Sequence, residues 1–413
     1  MVKLAAVLLM GLTAAAQCSS ATLKVLYSFT GQADGGNPQS GLVKGNGVLY
    51  GTTYNGGASY SGTVFSLTPP ASPGGSWTET VLHSFVGYPS DGANPYGGLV
   101  LGSDGTLYGT TFVGGASDFG TVFALQPPVT PGGPWTETVL YSFVDGDDGA
   151  LPRGALVISD NGELYGTTAS GGGNNSGTVF ALNPPVSPGA SWSETVLYRF
   201  IDGDEPIGGV AIGSGGVLYG TTSGGGASHV GTVFALAPPS EPGAAWKETV
   251  LHSFAGVADG NYPAAGLLNV SGPQGASVLF GTTSGNGSTG TVFVLTPPTT
   301  PGGSSRYAVL YHFTGGIDGG DPLGALVIGK GGVLYGTTYY GGAFPDSEGT
   351  VFSLAPPTAL GGSRTEGVLH SFSGFGDGGH PAAGLVMDQD GVLYGTTYYG
   401  GAFRDGEVFA LLP

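Results

Sequence analysis

The chain has 413 residues, 83 of them glycine and 29 proline, and carries 28 Asp and Glu against 10 Lys and Arg for a net charge of −18. Nucleic-acid binding needs clustered Lys and Arg to replace counterions, and ten scattered basic residues exclude it as the main role. The glycine and proline content approaches the disordered range, but 40% of residues are hydrophobic and they recur in register. Glycine turns between short β-branched and aromatic runs indicate an ordered all-β protein.

In chain order, the first segment reads as an export signal over residues 1–17. Lys3 supplies a positive start, residues 4–16 an apolar run, and Ala14-Ala15-Ala16 a small-residue cleavage site. The run is too short to span a bilayer, and no later segment is long and apolar enough to do so. The expected location is secreted or cell-surface. Cys18 is the single cysteine, so no intramolecular disulfide forms. A second reading makes Cys18 a lipid acceptor, although Gln17 stands where such sites carry a small residue.

From residue 22 to 413 the chain is one repeat array. The strand Leu49-Tyr50-Gly51-Thr52-Thr53 returns at 107–111, 164–168, 218–222, 279–283 (with Phe280 for Tyr), 334–338 and 393–397. Its glycines are spaced by 58, 57, 54, 61, 55 and 59 residues. Such a period marks units that cannot bury their own cores and must stack on neighbours.

The second unit reads as four strands. Residues 98–101 form a short apolar strand, Ser103-Asp104-Gly105 a hairpin turn, 106–111 the second strand and 120–125 (GTVFAL) the third. A proline-rich loop over 127–134 leads to the fourth, 137–143 (ETVLYSF). Four such strands make a propeller blade. The array enters on a fourth-type strand, 24–29 (KVLYSF), and leaves on a third-type strand, 407–412. The expected fold is therefore a single seven-bladed β-propeller of four-stranded blades, with the N-terminal strand completing the last blade and covering its open edge.

Several repeated residues have packing explanations. Gly41, Gly98, Ala155, Gly209, Gly266, Ala325 and Gly384 open the first strands, where convergence at an axis demands small residues. Trp77, Trp135, Trp192 and Trp246 are expected to cover outer blade edges. His83, His252 and His370 share one slot with Tyr27, Tyr141, Tyr198 and Tyr311, which argues against catalytic or metal-binding histidines.

The order L-Y-G-T-T, double glycine, G-T-V-F-A-L, proline loop and Trp is loosely similar to a kelch blade. More closely, the G-L-V … L-Y-G-T-T … G-G … G-T-V-F pattern resembles the bacterial tandem-repeat family called GloVer, known from exported "choice-of-anchor" proteins, over all seven units. The resemblance implies export and a surface or secreted location and brings no activity with it. Members of that family often end in an anchor, whereas the last residues here, Leu412-Pro413, belong to the seventh unit.

Asp-Gly-x-x-Pro recurs between units at Asp34, Asp91, Asp148, Asp202, Asp259, Asp318 and Asp377. A ring of carboxylates for a hard cation is one reading, and a turn in which Asp bonds its own backbone two residues on is the favoured one. The acid runs 145–148 and 202–205 are secondary metal candidates, but no metal site is assigned and no cofactor is expected. Nucleophile elbows, zinc-protease helices, phosphate loops and sialidase aspartate boxes are absent from the sequence.

The informative variation follows the L-Y-G-T-T strand. Units six, seven, one and two carry Tyr339, Tyr340 and Phe344, then Tyr398, Tyr399 and Phe403, then Tyr54 and Tyr60, then Phe112 and Phe119. Units three, four and five carry Ala169-Ser170, Ser223-Gly224 and Ser284-Gly285 there. In a closed ring the four aromatic units are neighbours, so half of one face is aromatic, with Asp118, Asp346, Glu348 and Asp405 nearby. The candidate ligand-binding residues are Tyr54, Phe112, Tyr339, Tyr340, Phe344, Tyr398, Tyr399 and Phe403, suited to stacking on sugars. The competing reading folds these rings back onto their own loops. The leading expectation is a monomeric, non-catalytic module for a glycan or protein. A propeller hydrolase or lyase with paired carboxylates and a purely structural scaffold are the alternatives.

Overall fold

A computed structural model describes residues 21–412 apart from 73, 131, 188, 202, 242, 273–274, 286, 288, 299–302 and 359–361. The export and lipidation readings, on residues 1–18, and Asp202 lie outside the described residues. Seven four-stranded antiparallel sheets form the seven blades of a propeller. Blade one holds Val43–Gly45, Val48–Thr53, Thr63–Thr68 and Thr78–Ser84 in that order from the axis outward. Blade seven holds Val386–Met387, Leu393–Thr397 and Glu407–Leu412, and its outer strand is Thr22–Ser28 from the other end of the chain. Thr22 lies opposite Leu412 and Ser28 opposite Glu407, so the staggered ends close the ring as expected.

The core lies between blades, which is the physical reason that the repeat cannot fold alone. One cluster joins Leu26, Phe29 and Val408 of blade seven to Leu42, Leu49, Phe65 and Leu67 of blade one. At every joint the Phe ending a fourth strand meets the Phe of the next blade's third strand edge to face. Phe85–Phe123 lie 5.2 Å apart, Phe372–Phe409 5.3 Å and Phe29–Phe65 5.0 Å.

The L-Y-G-T-T motif is explained residue by residue. A Cβ on Gly109 would lie 2.6 Å from Phe123 Cζ, so only glycine admits the ring. The second Thr bonds the Thr that opens the third strand, as Thr168 does with Thr178 at 2.9 Å. The first Thr crosses to the next blade: Thr167 Oγ1 donates to Gly208 O at 2.9 Å, and Thr396 closes the ring by donating to Ser40 O at 3.1 Å. The tryptophans are packing residues, as expected, but they act across the joint. Trp77, Trp135, Trp192 and Trp246 each meet the L-Y-G-T-T tyrosine of the preceding blade, Tyr394, Tyr50, Tyr108 and Tyr165. The small residues at the first strands sit against one another around the axis; a Cβ on Gly209 would lie 2.4 Å from Ala155 O.

Candidate functional site

Two constellations carry chemistry: the joints between blades and the mouth of the central channel. A register shift near the end of each fourth strand, between Val81 and His83 opposite Val64 and Phe65 in blade one for example, turns the following Tyr or His toward the next Asp-Gly turn. Tyr27 donates to Asp34 at 2.9 Å, Tyr141 to Asp148 at 2.9 Å and Tyr311 to Asp318 at 3.0 Å. His83, His252 and His370 pair with Asp91, Asp259 and Asp377 at 3.1, 3.1 and 2.9 Å. This is why the two residue types alternate: each brings an N–H or O–H to the same carboxylate.

The Asp turns are structural, but their bonds run backward along the chain instead of two residues on. Asp34 accepts from Thr30 N, Asp148 from Val144 N and Asp318 from Thr314 N. In the shorter fourth turn Asp204 accepts from Ile201 N.

Most of these carboxylates also face a glutamate from the next blade, whereas Asp259 meets Tyr307 there. Burial, and then Asp34, pushes the Glu79 carboxyl up to about 7. Burial and Asp148 do the same for Glu194, and burial and Asp318 for Glu366. At the second joint Glu137 is raised to about 7 by burial and Asp91, with His83 opposing. His83, Asp91 and Glu137 are the one three-residue group among the described residues that could offer ligands to a metal. The same joint elsewhere has Tyr27 with Asp34 and Glu79, and Asp91 already accepts from Val86 N and Gly92 N. It is a repeat joint before it is a metal site. The acid runs at 145–148 and 202–205 form no such group among their described residues.

The channel runs along the first strands and encloses about 1010 Å³. Its lining includes the residue after each turn proline: Gln39, Tyr96, Arg153, Ile207, Ala264, Leu323 and Ala382. The turn prolines themselves lock onto the previous blade. A Cβ on Gly120, at φ +97°, would lie 2.7 Å from Pro152 Cδ, and Gly406 receives Pro38 in the same way. At three of the turns the residue before the proline reaches to the aromatic loop beside it. Asn37 Nδ2 donates to Tyr398 O at 3.0 Å, Asn94 Nδ2 to Tyr54 O at 2.9 Å, and His380 Nδ1 lies 2.9 Å from Tyr339 O.

These contacts hold the rings of four neighbouring blades against the mouth. Tyr54 meets Tyr96 at 6.1 Å, and Tyr96 meets Phe112 at 6.3 Å. Tyr339 stacks on His380 at 4.6 Å, with Tyr340 edge-on to both, and Tyr398 meets Tyr399 at 4.4 Å. Burial raises the Tyr398 phenol to about 12, helped by Tyr399, Tyr54 and Tyr96. Burial raises that of Tyr339 further, helped by Tyr340, Tyr398, Tyr399 and Tyr96. Both phenols are therefore neutral donors.

The eight residues singled out from the sequence divide by depth. Tyr54, Phe112, Tyr339 and Tyr398 are half-buried in the mouth cluster. Tyr340 and Tyr399 form its outer side, 37% and 46% exposed, and Phe344 and Phe403 are 45% and 57% exposed. Tyr60 is exposed and Phe119 packs into the core between blades two and three. Of the acids, Asp118 closes its own loop on Gly114 N, and Glu348 pairs with His380 at 3.3 Å. Phe375, His380, Tyr399 and Arg404 join Glu348 and Asp346 around a second hollow of about 290 Å³.

Sequence reasoning missed Tyr96, Arg153 and His380. The available signal was the pair of positions flanking each turn proline, which change from unit to unit while the Asp-Gly before them stays.

Solved structures similar to this chain match at low identity. A 6-phosphogluconolactonase candidate from Bacteroides uniformis matches at 15% identity and a TM-score of 0.52, over 84% of this chain and 88% of its own. The soluble aldose sugar dehydrogenase of Escherichia coli matches at 13% identity and 0.45, over 95% and 99%. An ulvan lyase of polysaccharide lyase family PL25 matches at 9% identity and 0.47, over 92% and 94%. No curated protein sequence matches the chain. The Gloeobacter/Verrucomicrobia repeat matches residues 11–129, 71–274 and 249–413, and over this span the chain belongs to the Gloeobacter/Verrucomicrobia repeat family.

Proposed function

We propose that the protein is a non-catalytic binding module that takes a saccharide at the mouth of its central channel. The observation that carries this reading is the two groups of rings, Tyr54–Tyr96–Phe112 and Tyr339–His380–Tyr399–Tyr398, that four neighbouring blades bring to one face. Rings of this kind stack on sugar faces, and neutral phenols donate to sugar hydroxyls. Against a hydrolase or lyase stands the state of His380, the histidine in this cluster. One ring nitrogen faces Tyr339 O and the other Glu348, so neither is available to move a substrate proton.

A glycan array run beside a polysaccharide-cleavage panel tests the reading. Binding without cleavage is expected. The double variant Tyr340→Ala/Tyr399→Ala removes the two exposed rings on the outer side of the cluster and should weaken binding by about tenfold or more. Its melting temperature should stay close to that of the parent, since exposed substitutions cost about 0.5 kcal/mol or less. Cleavage of any polysaccharide, or unchanged affinity in the variant, overturns the assignment.

The proposal extends to location: residues 1–17 direct export, and the ring acts outside the cell or on its surface. Mass spectrometry of the secreted and membrane fractions should find a mature N-terminus near Gln17. A diacylated Cys18 places the protein on a lipid anchor instead, and an intact Met1 in the cytoplasm rejects export.

A further inference from the structure

We infer that the saccharide taken at the mouth is anionic, and that Arg153 recognises its carboxylate or sulfate group. This inference rests on the proposed binding role and adds the ligand's charge to it. Arg153 follows Pro152 and lines the channel. Its Cζ lies 4.9 Å over the Phe112 ring and 5.6 Å over the Tyr96 ring. Two aromatic faces therefore hold the guanidinium by cation–π contact.

No carboxylate pairs with it among the described residues. Its Nε is buried and has no hydrogen-bond partner. The contrast is with the other two part-buried cations, in a chain with almost three acids for every base. Lys44 pairs with Asp388 at 2.8 Å, and Arg364 donates to Gly332 O and Leu354 O. A buried guanidinium N–H without an acceptor is costly unless something supplies one.

The repeat itself does not require the arginine. The same place in the other six turns holds Gln39, Tyr96, Ile207, Ala264, Leu323 and Ala382, and the ring closes equally well on each. The guanidinium fork matches two oxygens of a carboxylate or sulfate at once. Tyr54 and Tyr96 stand beside it to engage the adjoining sugar. With a net charge of −18, the protein does not attract such a ligand from a distance, so discrimination arises from contact at Arg153 rather than from steering.

The test uses matched polysaccharides: polygalacturonate against its fully methyl-esterified form, and a sulfated galactan against its desulfated form. Isothermal titration of the intact protein should show the acidic member of one pair bound at least about tenfold tighter than its neutral partner. Which pair discriminates tells carboxylate from sulfate. Arg153→Gln should erase that difference, and Arg153→Lys should keep a smaller one. Melting curves of both variants separate loss of contact from loss of fold; if the glutamine variant is unfolded, the lysine variant alone decides. Equal binding of acidic and neutral members overturns the inference and leaves the binding role intact. Binding of polyglutamate through Arg153 without any saccharide also overturns it, in favour of an acidic peptide. No binding of any polysaccharide removes the proposed function as well.

Discussion

A chain lacking residues 1–29 is expected to lose cooperative unfolding and to aggregate, whereas an equal change in any exposed loop should be tolerated. The strand Thr22–Ser28 is the outer strand of blade seven and pairs along the whole of Glu407–Leu412. Removing it leaves that strand as an open, apolar edge carrying Val408, Phe409, Ala410 and Leu411, all buried in the intact ring. It also withdraws Leu26 and Phe29 from the cluster shared with blade one. Phe29 is fully buried, and its replacement by Ala should by itself cost about 3–5 kcal/mol. Melting curves and size-exclusion profiles of Phe29→Ala and of the truncated chain check this. A peptide spanning residues 21–30, added to the truncated chain, should restore part of the stability by re-forming the strand. A truncated chain that melts as the parent does would show that the ring does not depend on this closure.

Stability should fall as pH rises from about 5 to 8, the reverse of what is expected of a protein held together by carboxylate ion pairs. The carboxyls of Glu79, Glu137, Glu194, Glu366 and Glu407 are pushed from an ordinary value of 4.5 to about 7, in each case first by burial. Such groups keep their proton in the folded state over a range where the unfolded chain has released it. Their contribution is therefore fully present below about 4.5 and is lost as pH climbs through 7. After solvent screening each group contributes on the order of 1 kcal/mol. Burial raises Asp377 and Asp388, but hydrogen bonds from His370 and Ser373 to the first, and from Lys44, Tyr394 and Val392 N to the second, together outweigh it and hold both below their usual range. Their contribution is lost in acid, so the optimum lies at mildly acidic pH.

Glu407 gives the sharpest test. It stands where the other six blades place the Thr that opens the third strand, it is 1% exposed, and its Oε2 has no partner. Glu407→Thr should restore the Thr–Thr bond to Thr397 seen at Thr53–Thr63 and its counterparts. It should raise the melting temperature at pH 8 more than at pH 5. A variant less stable at both values, or a parent whose melting temperature rises from pH 5 to pH 8, contradicts the account.

The blade count, the closure and the family were legible in the sequence because they depend on periodic local patterns. An L-Y-G-T-T strand needs a glycine opposite Phe, a Thr for its neighbour strand and a Thr for the next blade, and the seven copies show the same need seven times. The phase of the first and last strands follows from the same counting. The aromatic sector of the face was legible as well, since ring closure makes units six, seven, one and two adjacent whatever their details.

The depth of each ring was not legible. Tyr339 and Tyr340 are consecutive, yet one stacks on His380 within the cluster and the other is more than a third exposed. That division is made by His380 and the asparagines before the turn prolines, whose hydrogen bonds run to loops of the preceding blade. The backward direction of the Asp bonds, which makes Tyr and His interchangeable, comes from a register shift that no single strand reveals. Arg153 and Tyr96 are separated by a whole repeat and look like ordinary turn residues in sequence. Only the ring brings the seven turns to one axis, and only there does the one arginine among them meet two aromatic faces and, among the described residues, no acid.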